Sequence, residues 1–108
     1  MKPRRETLKP PQSIQITALG SYSPVKVVTN EELSKRVNTS DEWIRSHTGI
    51  GTRHIAAEDE TTTDLATKAV ENLLKASGKH VGDIDGIVVA TATPDYPGFP
   101  STACLLAQ

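Results

Sequence analysis

The segment Thr39 to Ala56, TSDEWIRSHTGIGTRHIA, holds the chain's single tryptophan, Trp43, among polar and charged neighbours. Trp43 and His47 are four residues apart, so on a helix they share one face, with Arg45 between them in sequence. On the residues alone such an indole reads as a core or interface anchor, because aromatics usually pack. Few other groups could do chemistry. Cys104 is the only cysteine, and a lone thiol reads as a small buried hydrophobe in or near the core. His54 and His80 have no nucleophile or metal partner near them in sequence. The spaced Cys and His ligands of a zinc site are missing too, so no metal site is expected. Arg45 and Arg53 read as exposed arginines that need no ligand. The lone Phe99, bracketed by Pro97, Gly98 and Pro100, reads as closing a local core.

The elements that must position these residues follow from pattern. SIQITALG, from Ser13, alternates apolar Ile14, Ile16 and Ala18 with polar Gln15 and Thr17, which predicts a strand leaving into a loop at Gly20 to Pro24. TNEE (29–32) and TSDE (39–42) each place Glu three residues after Thr, the capping-box spacing, and predict two short helices in tandem. TRHIAA is strand-like. TTTDLATKAVENLLKASG sets Leu65, Ala66, Ala69, Val70, Leu73 and Leu74 at helical spacing, with threonine caps before them and Gly78 behind. IDGIVVATAT supplies a nearly continuous β-branched run, the pattern of a strand buried on both faces of a sheet. A Pro/Gly loop follows, and helical character resumes at Ser101 and runs to the last residue. Helix followed by buried strand implies α/β packing, yet only one other convincing strand is visible. Either a partner completes the sheet or the chain is a truncated piece.

Composition narrows the function classes. At 108 residues the chain is about one small domain. Its 36% apolar content lies below the globular average of roughly 45–50%. A net charge of −1 offers no field for nucleic acid or an anionic membrane, so neither is expected as a partner. No run approaches the roughly 18 apolar residues of a membrane span. MKPRRETLKPPQ, residues 1–12, has basic residues and prolines but no apolar stretch behind them, and reads as a disordered tail or leader. Residues 13–108 then form the folded part. One free cysteine fits a reducing, cytoplasmic setting. There is no internal repeat or low-complexity run.

ALGSYSPVKVVTNEEL, TSDEWIRSHTGIGTRHIA, ETTTDLATKAVENLL and IDGIVVATATPDYPGFPSTAC, in this order, resemble the N-terminal part of β-ketoacyl-acyl-carrier-protein synthase III, a thiolase-like condensing enzyme. The resemblance covers nearly everything after the tail, and about the first third of such an enzyme. It implies a layered α/β/α/β/α fold of which this chain holds part of the N-terminal half, so that 13–108 is a truncated domain. It also implies a two-step acyl transfer. A cysteine thiolate takes an acetyl or short acyl group from acyl-CoA and then attacks malonyl-acyl carrier protein as carbon dioxide leaves. Coenzyme A is thus a substrate, and no cofactor is implied.

By the same resemblance the nucleophilic Cys and the His and Asn that assist it lie outside this chain. Cys104 falls where the family has a packing cysteine. Trp43 is placed as a lid at the mouth of the coenzyme A tunnel, stacking on adenine, and Thr39 as a nucleotide contact. His47 stands where better-known members carry an arginine that sandwiches the adenine, and Gly51 where a basic residue is frequent. Phe99 is placed at a homodimer interface, lining the partner's acyl pocket. Two other readings stay open: a related thiolase-fold synthase making another product, and a non-catalytic interaction module.

Overall fold

The computed structural model describes residues 15–108. The tail read at 1–12, and Ser13 and Ile14 at the start of the first expected strand, lie outside the described residues. Two strands, β1 (Lys26–Thr29) and β2 (Thr52–Ile55), pair antiparallel, with Val28 opposite Arg53 and Thr29 opposite Thr52. Two short helices, α1 (Asn30–Ser34) and α2 (Asp41–Thr48), form the connection between them. A longer helix, α3 (Thr62–Ser77), a 3-10 turn at Val81–Asp83 and a last helix, α4 (Thr102–Leu106), complete the described chain.

β2 is the strand-like piece expected at TRHI. β1 was not anticipated, because four residues with Val27 and Val28 side by side carry no period-two pattern. The helix caps are largely as the spacing predicts. Thr29 Oγ1 accepts from the Glu32 amide at 3.1 Å. Thr61 and Asp64 cap each other reciprocally at the start of α3, and Gly78, at φ 67°, ends it in the left-handed conformation that a side chain would oppose. At α2 the cap is one residue later than expected. Ser40, not Thr39, accepts from the Trp43 amide, at 3.1 Å. Two adjacent cap-forming residues leave the first residue of the helix open in sequence; Ile44 is the buried residue of the helix that forms.

Two expected strands differ. Residues 15–24 form no ladder and instead run across α3. Gly20 lies so close that a Cβ there would fall 2.4 Å from Leu73 Cβ and 2.6 Å from the Ala69 carbonyl oxygen. The Asn72 side chain donates to the Ser21 carbonyl at 2.9 Å. Residues 84–91 are likewise outside any sheet, and Val88 is 98% exposed. A β-branched run can be buried only if strands lie beside it, and none does among the described residues. The apolar stripe of α3, from Leu65 to Leu74, is accordingly half-buried. The buried apolar side chains among the described residues are Val28 and Ile44.

Polar contacts tie α3 to its surroundings. Thr62 Oγ1 donates to the Thr93 carbonyl at 2.6 Å, and the Asp95 carboxylate accepts from the Thr63 amide at 3.2 Å and from its hydroxyl. On the other side, Glu60 Oε1 accepts from Lys68 Nζ at 2.6 Å and from the Tyr22 hydroxyl at 3.0 Å, while Lys68 Nζ sits 4.6 Å from the Tyr22 ring centroid. These three residues line a cleft of about 580 Å³ whose walls include nothing from α2. The Lys68 hydrogen bond is the main reason the Glu60 carboxyl is held below its ordinary range, and the same bond raises Lys68. A depressed carboxyl adds stability above its unfolded pKa and loses it as pH falls through the folded value. Glu60→Gln is therefore expected to lower the thermal midpoint at pH 7, with the gap to the unaltered chain closing as pH falls below the ordinary carboxylate range. Melting curves from pH 7 to pH 3 check this.

Candidate functional site

The site is organised from a buried amide. Asn30, 1% exposed, begins α1 and spends its side chain on three partners. Its Nδ2 donates to Asp41 Oδ1 at 2.7 Å and to the Ile50 carbonyl at 2.8 Å, and its Oδ1 accepts from Arg53 Nη2. Arg53 Nη1 donates to the carbonyls of Val28 and Thr29, at 3.2 and 3.1 Å. Both termini of α2 and the end of β1 are thus fixed to one point. Arg53 is a structural clasp, and sequence reasoning missed both it and Asn30, since neither carries a local signal.

Asp41, the first residue of α2, also accepts from Arg45 Nε, at 2.9 Å on each oxygen. The Asn30 bond and then Arg45 hold its carboxyl below the ordinary range. The Arg45 guanidinium lies over Gly51: a Cβ at 51 would come within 2.8 Å of Nη2 and 2.9 Å of Nη1. A positive charge thus occupies the space beside position 51, delivered from α2. Arg45 is two positions from Trp43, about 200° around the helix, so it does not share the indole's face.

That face carries the expected pair. Trp43 is 56% exposed and stacks on His47, with ring centroids 4.3 Å apart and planes at 20°. Trp43 is therefore not a core anchor; the core side of α2 is Ile44. His47 Nδ1 is 2.8 Å from the Trp43 carbonyl oxygen, and the Ser46 hydroxyl donates to the same carbonyl at 3.0 Å. Gly49, at φ 72°, closes the helix with its amide on the Arg45 carbonyl at 2.8 Å. Acidic Asp41 and Glu42 in the first turn, with Arg45 and His47 in the last, suit the helix dipole.

The other sequence candidates lie elsewhere. Thr39 precedes α2, and its hydroxyl is covered and has no hydrogen-bond partner among the described residues. Phe99 is 94% exposed on its loop and does not close a local core. Cys104 is exposed too, its Sγ 3.2 Å from the Ser101 hydroxyl that caps α4; Thr102 takes the buried side of that helix in its place. His54 Nδ1 bonds the Pro24 carbonyl at 2.5 Å, and the His80 amide bonds Asp83, so both serve local structure. Of the candidates, only Trp43 and His47 are brought together.

No protein-family model matches the chain. Individual proteins do. β-Ketoacyl-[acyl-carrier-protein] synthase III of Xanthomonas campestris is 58% identical over 92 residues, which is 85% of this chain and 28% of the relative. The synthase III of Neisseria meningitidis is 53% identical over 97 residues, 90% of this chain and 30% of the relative. The crystal structure of synthase III from Thermus thermophilus superposes with a TM-score of 0.76 at 50% identity, covering 84% of this chain and 28% of that one.

The chain corresponds to an N-terminal segment of β-ketoacyl-acyl-carrier-protein synthase III.

It spans less than a third of the length of the curated synthase III relatives it matches. Its partial α/β architecture is that of the thiolase-like synthase III fold. The priming β-ketosynthase of the R1128 polyketide pathway is more distant in sequence, at 31% identity, yet superposes with a TM-score of 0.78 over 94% of this chain.

Three substitutions test how this segment sets α2. Asn30→Ala removes a buried side chain together with its hydrogen bonds to Asp41, the Ile50 carbonyl and Arg53, which costs roughly 1–3 kcal/mol. Its urea midpoint is expected to fall accordingly. Ser40→Ala removes the α2 cap, typically about 1 kcal/mol, whereas Thr39→Ala deletes a covered hydroxyl that has no partner among the described residues and is expected to be near neutral. Equal losses at 39 and 40 in the same denaturation series would contradict the Ser40 register.

Proposed function

We propose that this chain supplies the nucleotide-facing part of an enzyme that starts fatty-acid synthesis. An acetyl or short acyl group passes from acyl-CoA to a cysteine thiolate, and the resulting thioester condenses with malonyl-acyl carrier protein with loss of carbon dioxide. The single observation that carries this reading is the 58% identity to a synthase III across 85% of the chain. The cysteine, and the His and Asn that polarise the carbonyl and stabilise the carbanion, belong to parts of the enzyme outside this chain. Cys104 does not fill the first role: its sulfur accepts from the Ser101 hydroxyl at 3.2 Å within the first turn of α4.

Within the chain, Trp43 provides the flat apolar surface on which adenine stacks, gaining contact area without reading every base edge. His47 takes part in place of a guanidinium and so lacks a permanent charge. Thr39 contributes a hydroxyl with unspent hydrogen-bonding capacity once its cover moves. Phe99, exposed on its loop, fits a surface that meets a second subunit and its acyl pocket. The enzyme acts in the cytoplasm as a homodimer, takes coenzyme A thioesters as substrates without a resident cofactor, and engages neither nucleic acid nor membrane. No helix among the described residues is long and apolar enough to cross a membrane. The closeness in fold to the R1128 priming ketosynthase favours, as a second reading, a related priming synthase with a different acyl group.

A chimera joining this chain to the remaining part of the Xanthomonas campestris enzyme tests the first reading. It is expected to condense acetyl-CoA with malonyl-acyl carrier protein, and Trp43→Ala in it to raise KM for acetyl-CoA about tenfold, the size of one lost base stack of roughly 1–3 kcal/mol. The KM for the carrier-protein substrate should stay the same. An intact chimera whose acetyl-CoA KM ignores Trp43 would remove the nucleotide role, and a preference for longer acyl-CoA primers would favour the second reading.

A further inference from the structure

The loop that carries Phe99 is held by the start of α3. Residues 91–101 form no helix or strand. Pro94, Pro97 and Pro100 interrupt them, each fixing φ and withholding an amide donor. Among the described residues nothing between 94 and 100 takes part in a backbone–backbone hydrogen bond outside regular elements. Side chains tie the loop instead. Every hydrogen bond among the described residues that joins 93–100 to another element ends on the first two residues of α3. Thr62 Oγ1 donates to the Thr93 carbonyl at 2.6 Å, and the Asp95 carboxylate accepts from the Thr63 amide at 3.2 Å on each oxygen and from the Thr63 hydroxyl. Asp95 is half-buried there, while the rest of 91–100 is exposed.

α3 does not need this carboxylate in order to start. Thr61 and Asp64 already cap it reciprocally, and Asp95 takes an opening amide, that of Thr63, which the capping box leaves unpaired. A carboxylate suits that helix end, yet what the contact adds is a fixed position for the loop. At the far end Ser101 caps α4, its Oγ accepting from the Cys104 amide at 3.3 Å, and α4 packs on α3. The span 96–100 is thus strung between two anchors on one helix, with Phe99, 94% exposed, near its end. We propose that the clasp of Thr62 and Thr63 on residues 93–95, with Asp95 at its centre, positions Phe99 and so sets the length of acyl group the enzyme accepts. This rests on the reading that Phe99 lines the acyl pocket of a second subunit. Asp95 touches no substrate; it is a positioning residue that acts through Phe99. Without its carboxylate the untied span grows from 96–100 to 94–100, and a ring that limits chain length by filling space limits it less when it can swing aside.

The test uses the chimera with the remaining part of the Xanthomonas campestris enzyme. It reads the ratio of kcat/KM for hexanoyl-CoA to that for acetyl-CoA, in which any loss of folded enzyme cancels. Phe99→Ala is expected to raise this ratio about tenfold or more. Asp95→Ala should raise it about three- to tenfold, the range of one hydrogen-bonded contact, and Thr62→Val combined with Thr63→Val about threefold. Asp95→Asn, whose side-chain oxygen can still accept from the Thr63 amide, should restore most of the unaltered ratio. Asp95→Ala combined with Phe99→Ala should match Phe99→Ala alone. An unchanged ratio in Phe99→Ala would remove the acyl-pocket reading itself, and the clasp with it. A shift in Phe99→Ala without one in Asp95→Ala would overturn the clasp and leave the acyl-pocket reading standing. So would effects of the two alanines that simply add. Should Asp95→Ala yield no folded enzyme, the double valine variant decides in its place, and an unchanged ratio there overturns the clasp.

Discussion

The geometry of this segment hangs on one buried primary amide. With Val28 and Ile44 as its buried apolar side chains, the described chain has little hydrophobic driving force to fix angles between elements, and non-directional burial would in any case leave the orientation of an eight-residue helix loosely set. Hydrogen bonds from a desolvated amide are directional and costly to leave unmade. Asn30 has two donors and one acceptor group, and places them on the N-terminus of α2, on the loop after it and on β2. Losing any one leaves a polar group short of its partner, so the three elements are held at one relative arrangement. Arg53 extends the same logic to β1 by covering two of its carbonyls.

The exposed aromatic pair is a downstream consequence. α2, capped by Ser40, turns Ile44 inward, and Trp43 and His47 fall together on an outer face. Had Thr39 been the cap, helical phase would not move, since side-chain direction depends on position and not on where the first turn begins; what changes is the freedom of the Trp43 amide, which Ser40 now ties down. The indole is therefore fixed by its backbone on one side and by the imidazole on the other.

What could be read from sequence divides along a physical line. Features set within four or five residues were legible: the Thr29 and Thr61 caps, the αL glycine after α3, the i, i+4 pairing of Trp43 and His47. Features that need a partner far along the chain were not. A buried asparagine between a strand and a helix looks like any capping or loop residue until Arg53, 23 positions away, is brought to it. The same limit explains the errors. Ile84 to Ala90 has the composition of a doubly covered strand, and Cys104 that of a packed thiol, but composition states what an environment would suit, not that the environment is at hand. The family resemblance, by contrast, was legible because it rests on many ordered positions at once.

That division also decides which conclusions stand independently of the uncovered apolar surface around residues 84–99. The bonds of Asn30, Asp41, Arg45 and Arg53 all close between Val28 and Arg53. None reaches α4 or the exposed run before it. Orientation of the Trp43–His47 pair is consequently a property of a local unit, set by polar contacts that do not depend on how Val88 or Phe99 comes to be covered. Covering those side chains adds stability roughly in proportion to the apolar area removed from water, and it does so without needing to turn α2. The orientation of that pair can thus be set in a segment whose apolar run at 84–91 lies uncovered.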